Sequence, residues 1–241
     1  MMEGVTTNEQ DSRGEPWWLP LRRALGHVRR CVELDTYDVF ARGVEPAHRD
    51  FQAPAGYRFA WGTAQDVAGC DEHHTELDAR ERALGSARLD LGHRVVIGFQ
   101  RGPQERDTAV FSMWVNPRHL NVPGHVKRAL QPDQVFIYKA YTSPEHRGRK
   151  LYEAGMRFVL ADLAARGGRE LIGYAHVKKD VSRRGLAALG FAPRGRFWRL
   201  KTPLGSTCRV SRELAALFPR AVARSRALDG NPGVLAAGEP A

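Results

Sequence analysis

The 241-residue chain has 42% apolar and 27% charged residues, the balance of a globular protein with one domain plus extensions. No apolar run reaches the ~18 residues of a membrane span, no apolar segment near Met1 reads as a secretory leader, and Cys31, Cys70 and Cys208 stand too far apart for a metal site, so a soluble cytoplasmic protein is expected. The net charge of +10 suits a phosphate-bearing ligand or a nucleic acid, but the cations are spread over several elements without a nucleic-acid-binding motif, which argues against nucleic acid as the partner.

In chain order, residues 1–16 are polar and read as a disordered N-terminus. Residues 17–56 form an extension, with an amphipathic helix from Leu21 to Arg30 and an extended strand from Cys31 to Phe40. The main domain, residues 57–210, opens with a strand over Tyr57–Gly62 and a helix capped by Thr63. A second helix is expected over Glu76–Ser86, and strands over His93–Gln100 and Thr108–Asn116 flank a polar hairpin loop at Gly102-Pro103. Residues 117–132, with Pro117, Pro123 and Pro132, read as one long connection.

The densest signal runs from Asp133 to Phe191. Asp133–Thr142 is apolar, aromatic and β-branched, a buried strand that Pro144 ends. The basic loop His146-Arg147-Gly148-Arg149-Lys150 follows, and from Leu151 the spacing of Leu151, Ala154, Phe158, Ala161 and Ala165 is helical as far as Gly167-Gly168. A strand over Glu170–Lys178 completes a parallel strand–helix–strand unit. At its strand-to-helix joint, unpaired first-turn amides, Gly148 and three cations make a phosphate site. Neither the nucleotide-binding G-x-x-x-x-G-K-[ST] loop nor the dinucleotide G-x-G-x-x-G fingerprint is present. Beyond Phe191 come a strand over Arg196–Lys201, a hairpin at Pro203-Leu204-Gly205 into Thr207–Val210, a helix over residues 211–228 capped by Ser211, and a disordered tail over 229–241.

Thr142-Ser-Pro-Glu-His-Arg-Gly-Arg-Lys-Leu-Tyr152 resembles the acetyl-CoA loop of the GNAT superfamily of N-acetyltransferases, and Ser182-Arg-Arg-Gly-Leu-Ala-Ala-Leu-Gly-Phe191 resembles its second motif, a short helix ending in Leu-Gly-Phe. The close resemblance covers residues 133–200. Arg147 and Gly148 match the family pattern. Lys150 stands where a second glycine is usual, Tyr152 where a third small residue is usual, Lys179 in place of an Asn, and Leu186 in place of the Tyr that protonates the departing thiolate in many members.

The resemblance implies an α/β fold: a mixed, largely antiparallel sheet of about seven strands, helices on both faces, and a splayed parallel pair at the CoA loop. It implies an N-acetyltransferase moving an acetyl group from acetyl-CoA, without a metal, to a primary amine of a small molecule or a protein. Arg147, Gly148, Arg149, Lys150, Leu151 and Tyr152 would hold the CoA phosphates, and the backbone at Tyr141 and Thr142 would pair with the pantetheine arm, the Tyr141 amide facing the thioester oxygen. For proton transfer, alternation sets Tyr174 and His176 on one strand face with Ile172. Carboxylates in the 71–82 segment, Glu72 and Glu76 first, would attract a cationic amine; with His73 and His74 they do not read as a metal site, because neighbours in a helix point to different sides. A catalytically inactive CoA-binding relative or a basic nucleic-acid-binding protein is the alternative, and the oligomeric state is open, a homodimer included.

Overall fold

The computed structural model describes residues 32–70, 77, 79–102, 107–122, 126–203 and 205–216. The expected segments 1–16, 17–30, 217–228 and 229–241, with Glu72 and Glu76, lie outside these residues. In chain order the elements are β1 (Glu33–Gly43), β2 (Tyr57–Gly62), α1 (Ala64–Gly69), α2 (Ala79–Asp90), β3 (Arg94–Gln100), β4 (Thr108–Asn116), β5 (His119–Val122) and β6 (Val126–Ala129). Then come β7 (Gln134–Thr142), α3 (Leu151–Ala165), β8 (Glu170–His176), α4 (Asp180–Ala188), β9 (Ala192–Thr202), β10 (Gly205–Val210) and α5 (Arg212–Ala216).

Eight strands form one sheet in the order β10-β9-β1-β8-β7-β4-β3-β2. Every neighbouring pair is antiparallel except β7–β8. This is the mixed, largely antiparallel sheet that was expected, with one strand more. The added strand is β1. The sequence reading set it apart with the N-terminal extension, yet it lies inside the sheet, paired to β8 from Tyr37↔His176 to Gly43↔Glu170 and to β9 from Glu33↔Lys201 to Ala41↔Ala192. Nothing local signals this placement, because the residues that pair with β1 lie more than a hundred positions away.

Local chemistry sets several boundaries. A reciprocal capping box starts α1: Asp66 N–H donates to Thr63 Oγ1 at 3.2 Å, and Thr63 N–H donates to Asp66 Oδ2 at 2.7 Å. Helix α2 runs past the expected Ser86 because its stop is Gly92, at φ +80°, whose amide and that of His93 close onto Leu89 O and Arg88 O. The expected long connection over 117–132 holds the two-stranded β5–β6 hairpin instead, and Asn116 Oδ1 turns the chain into it by accepting from the Arg118 and His119 amides at 2.9 Å each.

One face of the sheet buries Val96, Met113, Val135, Ile137 and Leu171 against Val159, Leu160 and Leu163 of α3. The opposite face buries Val95, Ile97 and Trp114 with Val67 and Leu77, and further along Phe136, Ile172 and Phe197 with Leu214 of α5. Helix and sheet approach most closely at Gly155, where a Cβ would stand 2.5 Å from Phe111 ring atoms. Among the described residues no helix is long and apolar enough to cross a membrane.

Candidate functional site

Strands β7 and β8 pair in parallel only at Gln134↔Glu170, Val135↔Leu171 and Phe136↔Ile172. Beyond Phe136 each is held by its outer neighbour alone, β7 by β4 and β8 by β1. A bulge contributes to the parting. Trp114 pairs with Tyr138 but Ser112 with Tyr141, so β7 uses one residue more than β4 over this stretch, and Lys139 sits there at φ +49°. The gap is a cleft of about 390 Å³ lined by Ile137, Tyr138, Lys139, Gly173, Tyr174 and His176, with Tyr37 from β1 and Met156 from α3.

A second hollow, about 480 Å³, lies over the basic loop, lined by Thr142, Arg147, Gly148, Lys150, Tyr152 and, on α4, Gly185. Pro144–His146 forms a single 3₁₀ turn, and Gly148 follows at φ +76°. Lys150 is the N-cap of α3, in left-handed backbone at φ +60°. The position requires a left-handed backbone that glycine adopts freely, and the lysine meets it at the strain of a left-handed non-glycine residue. The amides of Gly148 through Glu153 have no backbone acceptor among the described residues. They are free main-chain donors at the positive end of a 15-residue helix.

The three loop cations divide. Arg147 is exposed, its Nε donating to Thr142 O at 3.3 Å, and Lys150 is exposed at the helix start. Arg149 is exposed as well, but its Nη1 donates to Tyr57 Oη at 3.0 Å, and that hydroxyl meets Nδ1 of the buried His146 at 2.9 Å. Arg149 thus ties the loop to β2 rather than facing the hollow. Leu151 is buried and contributes only its amide. Tyr152 borders both hollows. Its ring turns inward against the α3 core and toward Gly185, and burial pushes its phenol pKa up. It therefore leaves the loop surface clear and stands where the two hollows meet.

Within the cleft, Ser143 N–H donates to Val110 O at 2.9 Å. Alternation along the ladder then points the Tyr141 amide to Ser112 as well, and leaves the Thr142 amide on the cleft edge. The expectation of a Tyr141 amide facing the thioester is corrected accordingly.

Tyr174 and His176 share the Ile172 face, as alternation predicts. Tyr174 stacks on Phe136, with centroids 5.6 Å apart, and His176 meets the Tyr37 ring edge-on at 4.9 Å. Both His176 nitrogens are engaged. Nδ1 accepts from Lys178 N–H at 3.0 Å, and Nε2 faces Asp35 Oδ1 at 3.5 Å. A base role would require giving up one of these contacts. In the 71–82 segment the described carboxylate is Glu81, which pairs with Lys139 at 2.7 Å and Arg88 at 2.9 Å. Burial raises its pKa, but the two cations outweigh burial and hold it below the usual value.

A buried network reaches the cleft from β3 and β4. Tyr138 Oη lies 2.5 Å from His93 Nδ1, and His93 Nε2 lies 3.0 Å from Asn116 Nδ2. Burial first, then Arg88, His119, Lys127 and Arg118, bring the His93 pKa down to about 4, so its imidazole is neutral at physiological pH. Sequence reasoning missed Tyr37, His93 and Tyr138. The first belongs to a strand read as peripheral, and the other two become a pair only through β3–β4–β7 pairing.

No family model matches the chain, and no curated protein matches it. Among solved structures it is similar to a conserved protein of unknown function from Staphylococcus epidermidis, at 10% identity and TM-score 0.48 over 80% of this chain and 69% of that one. It is similar to a GCN5-related N-acetyltransferase from Sphaerobacter thermophilus, at 12% identity and TM-score 0.46 over 79% of this chain and 56% of that one. A GCN5-related N-acetyltransferase from Kribbella flavida matches at 15% identity and TM-score 0.44, over 75% of this chain and 63% of that one. The chain thus spans between 56% and 69% of the length of these structures. Likeness at this level carries no functional weight. The topology on its own terms has the arrangement that the loop and the Leu-Gly-Phe motif implied: one parallel pair that parts around a strand–loop–helix joint. The architecture is the mixed α/β one that was expected.

Proposed function

We propose that the chain is an acyl-CoA-dependent N-acyltransferase that moves an acetyl group from acetyl-CoA to a primary amine of a small molecule or a protein. The observation that carries this reading is the continuity of the site. A main-chain anion cradle at Gly148–Glu153 adjoins, across Tyr152, a cleft between two parallel strands that have come apart. In this reading the pyrophosphate takes the loop amides, with Arg147 and Lys150 as outer charges. The pantetheine arm pairs with the free edge of β7 near Thr142, and the thioester enters the cleft. The neutral amine attacks the thioester carbon directly, its lost proton leaving by water, and a donor aimed at the carbonyl oxygen stabilises the charge that develops there. Acetyl as the transferred group and an acceptor held by the acidic 71–82 segment belong to the same proposal.

A second reading, a CoA-binding relative without catalysis, is favoured by two observations: Leu186 occupies the place of the usual acid, and both His176 nitrogens are engaged.

Gly148→Asp tests the binding half. A Cβ at this position meets nothing within 4 Å, so the fold tolerates a side chain apart from the local φ strain, while the carboxylate repels phosphate. Calorimetry with acetyl-CoA should show affinity lowered at least about 10²-fold in Gly148→Asp with an unchanged circular dichroism spectrum, the scale of a lost charge-assisted contact plus a like-charge repulsion. Equal affinity in wild type and variant would reduce the loop to a basic surface turn. A panel of primary amines with wild type then separates the transferase from the inactive relative.

A further inference from the structure

The polarity of the buried network is set at its far end. Asn116 Oδ1 accepts from two backbone amides, Arg118 and His119, each at 2.9 Å. The other amide atom, Nδ2, is therefore the one facing His93 Nε2, at 3.0 Å. An amide nitrogen only donates, so His93 Nε2 is the acceptor and carries no proton. A neutral imidazole has one proton, which then resides on Nδ1. That N–H points at Tyr138 Oη, 2.5 Å away. The Tyr138 oxygen accepts this bond, and its own hydrogen stays available to a third partner. No acceptor for it occurs among the described residues, and Tyr138 lines the cleft where β7 leaves β8. Burial raises the phenol pKa, which keeps the hydroxyl protonated and a donor. A turn at the end of β4 thus dictates, through two side chains, the orientation of the hydroxyl of Tyr138, a residue that lines the cleft.

We propose that Tyr138 is a catalytic hydrogen-bond donor of the cleft, giving its phenolic hydrogen to the thioester carbonyl oxygen as negative charge develops there, with His93 and Asn116 as positioning residues that hold it in the donating orientation. This rests on the acyl-transfer reading of the cleft. Tyr138 donates a hydrogen bond and keeps its proton. The bond that forms is from amine nitrogen to acyl carbon, the bond that breaks is carbon to sulfur with its electron pair leaving on CoA as the thiolate, and the amine proton leaves to water.

Three measurements test it. Nitrogen-15 NMR of the wild-type histidine rings, with His93→Gln for assignment, should show a protonated Nδ1 and a bare Nε2 at position 93. The opposite tautomer overturns the proposal whether or not the protein transfers acyl groups. Tyr138→Phe should lower kcat about 10²-fold, the usual cost of one oxyanion donor, with acetyl-CoA affinity unchanged within twofold. A retained kcat, or a loss confined to the acceptor KM, overturns it.

Asn116→Asp is the third. A carboxylate only accepts, so it draws the His93 proton to Nε2. Nδ1 is then bare and takes the Tyr138 hydrogen away from the cleft. At about pH 9, above the range in which histidine is charged, this variant should show the reversed tautomer and a kcat loss like that of Tyr138→Phe, although position 116 does not line the cleft. A reversed tautomer with full activity overturns the proposal. Wild type that binds acetyl-CoA but acylates no amine overturns Tyr138 as a catalytic donor while leaving the binding site standing. Wild type that binds no acetyl-CoA removes the reading of the cleft on which the proposal rests.

Discussion

The two hollows are made of different material. At the loop end the working groups are backbone amides from Gly148 to Glu153, the cations Arg147 and Lys150 are exposed, and a Cβ on Gly148 would meet nothing within 4 Å. At the cleft end the polar groups are side chains already committed to one another: Tyr138 to His93 to Asn116, Glu81 to Lys139 and Arg88, His176 to Lys178 N–H and Asp35. An anion site built of main chain depends on conformation and tolerates exchange of side chains. That explains how Lys150 and Tyr152 stand where small residues are usual without closing the loop. A site built of interlocked side chains tolerates little, because each removal leaves a buried partner unsatisfied.

The sharpest test of the loop's openness is to add the same methyl group there and in the packed helix that follows it. One helical turn inside α3, Gly155→Ala places a Cβ 2.5 Å from Phe111 ring atoms. Overpacking costs about 1–3 kcal/mol, with its upper end expected at so close an approach, against roughly 1 kcal/mol gained in helix propensity, so a net loss of up to about 2 kcal/mol is expected from urea denaturation. Gly148→Ala, in open space, should cost about 1 kcal/mol, the strain of left-handed backbone alone. A larger loss at position 148 than at 155 would mean that the loop is the tightly packed end.

A pH series addresses the cleft end. Folded His93 has a pKa near 4 against 6.5 for the free side chain, so between these values the unfolded chain binds more protons. The stability that neutral His93 contributes is fully present above pH 6.5 and is lost as the pH falls toward 4. His93→Gln should give a shallower decline across that window, by up to one proton in the slope. Part of the decline should persist, since burial also lowers His48 and His119. A slope unchanged by the substitution would mean that His93 is not held neutral in the fold.

The smallest expected effect is at Lys150. Lys150→Gly relieves left-handed strain of about 1–3 kcal/mol at one exposed residue and returns roughly 0.5–1 kcal/mol to the entropy of the unfolded chain. The variant should be as stable as wild type or more stable by about 1 kcal/mol, with acetyl-CoA affinity within about threefold, since the amides stay and one exposed charge leaves. A marked loss of affinity would make Lys150 a phosphate ligand through its side chain and move the loop toward the side-chain-built kind of site.

Much of the local structure was legible from the residues alone. Tyr57–Gly62, the Thr63 cap, Thr108–Asn116 and the start of α3 stand where they were expected, because each is set by signals within a few positions: alternation, a capping box, a helical apolar stripe. The free amides of the loop and the left-handed Gly148 were legible for the same reason, since they lie within one turn. The cleft was not. Alternation put Tyr174 and His176 on a common face but could not say that a backbone amide and Asp35 engage both imidazole nitrogens.

By itself, the sequence determined the order of strands and helices, the strand–loop–helix joint with its free first-turn amides, and the parallel pairing across α3. These depend on periodicity, caps and breakers read over short spans, where few conformations compete. Only the tertiary structure decided that β1 enters the sheet between β8 and β9, that Lys139 bulges β7 away from β8, and that Tyr138, His93 and Asn116 form one directed chain across three strands. Each of these is a pairing between residues far apart in the chain. The free energy of such a pairing resides in which surfaces meet once the sheet has closed, and no short window of residues encodes that.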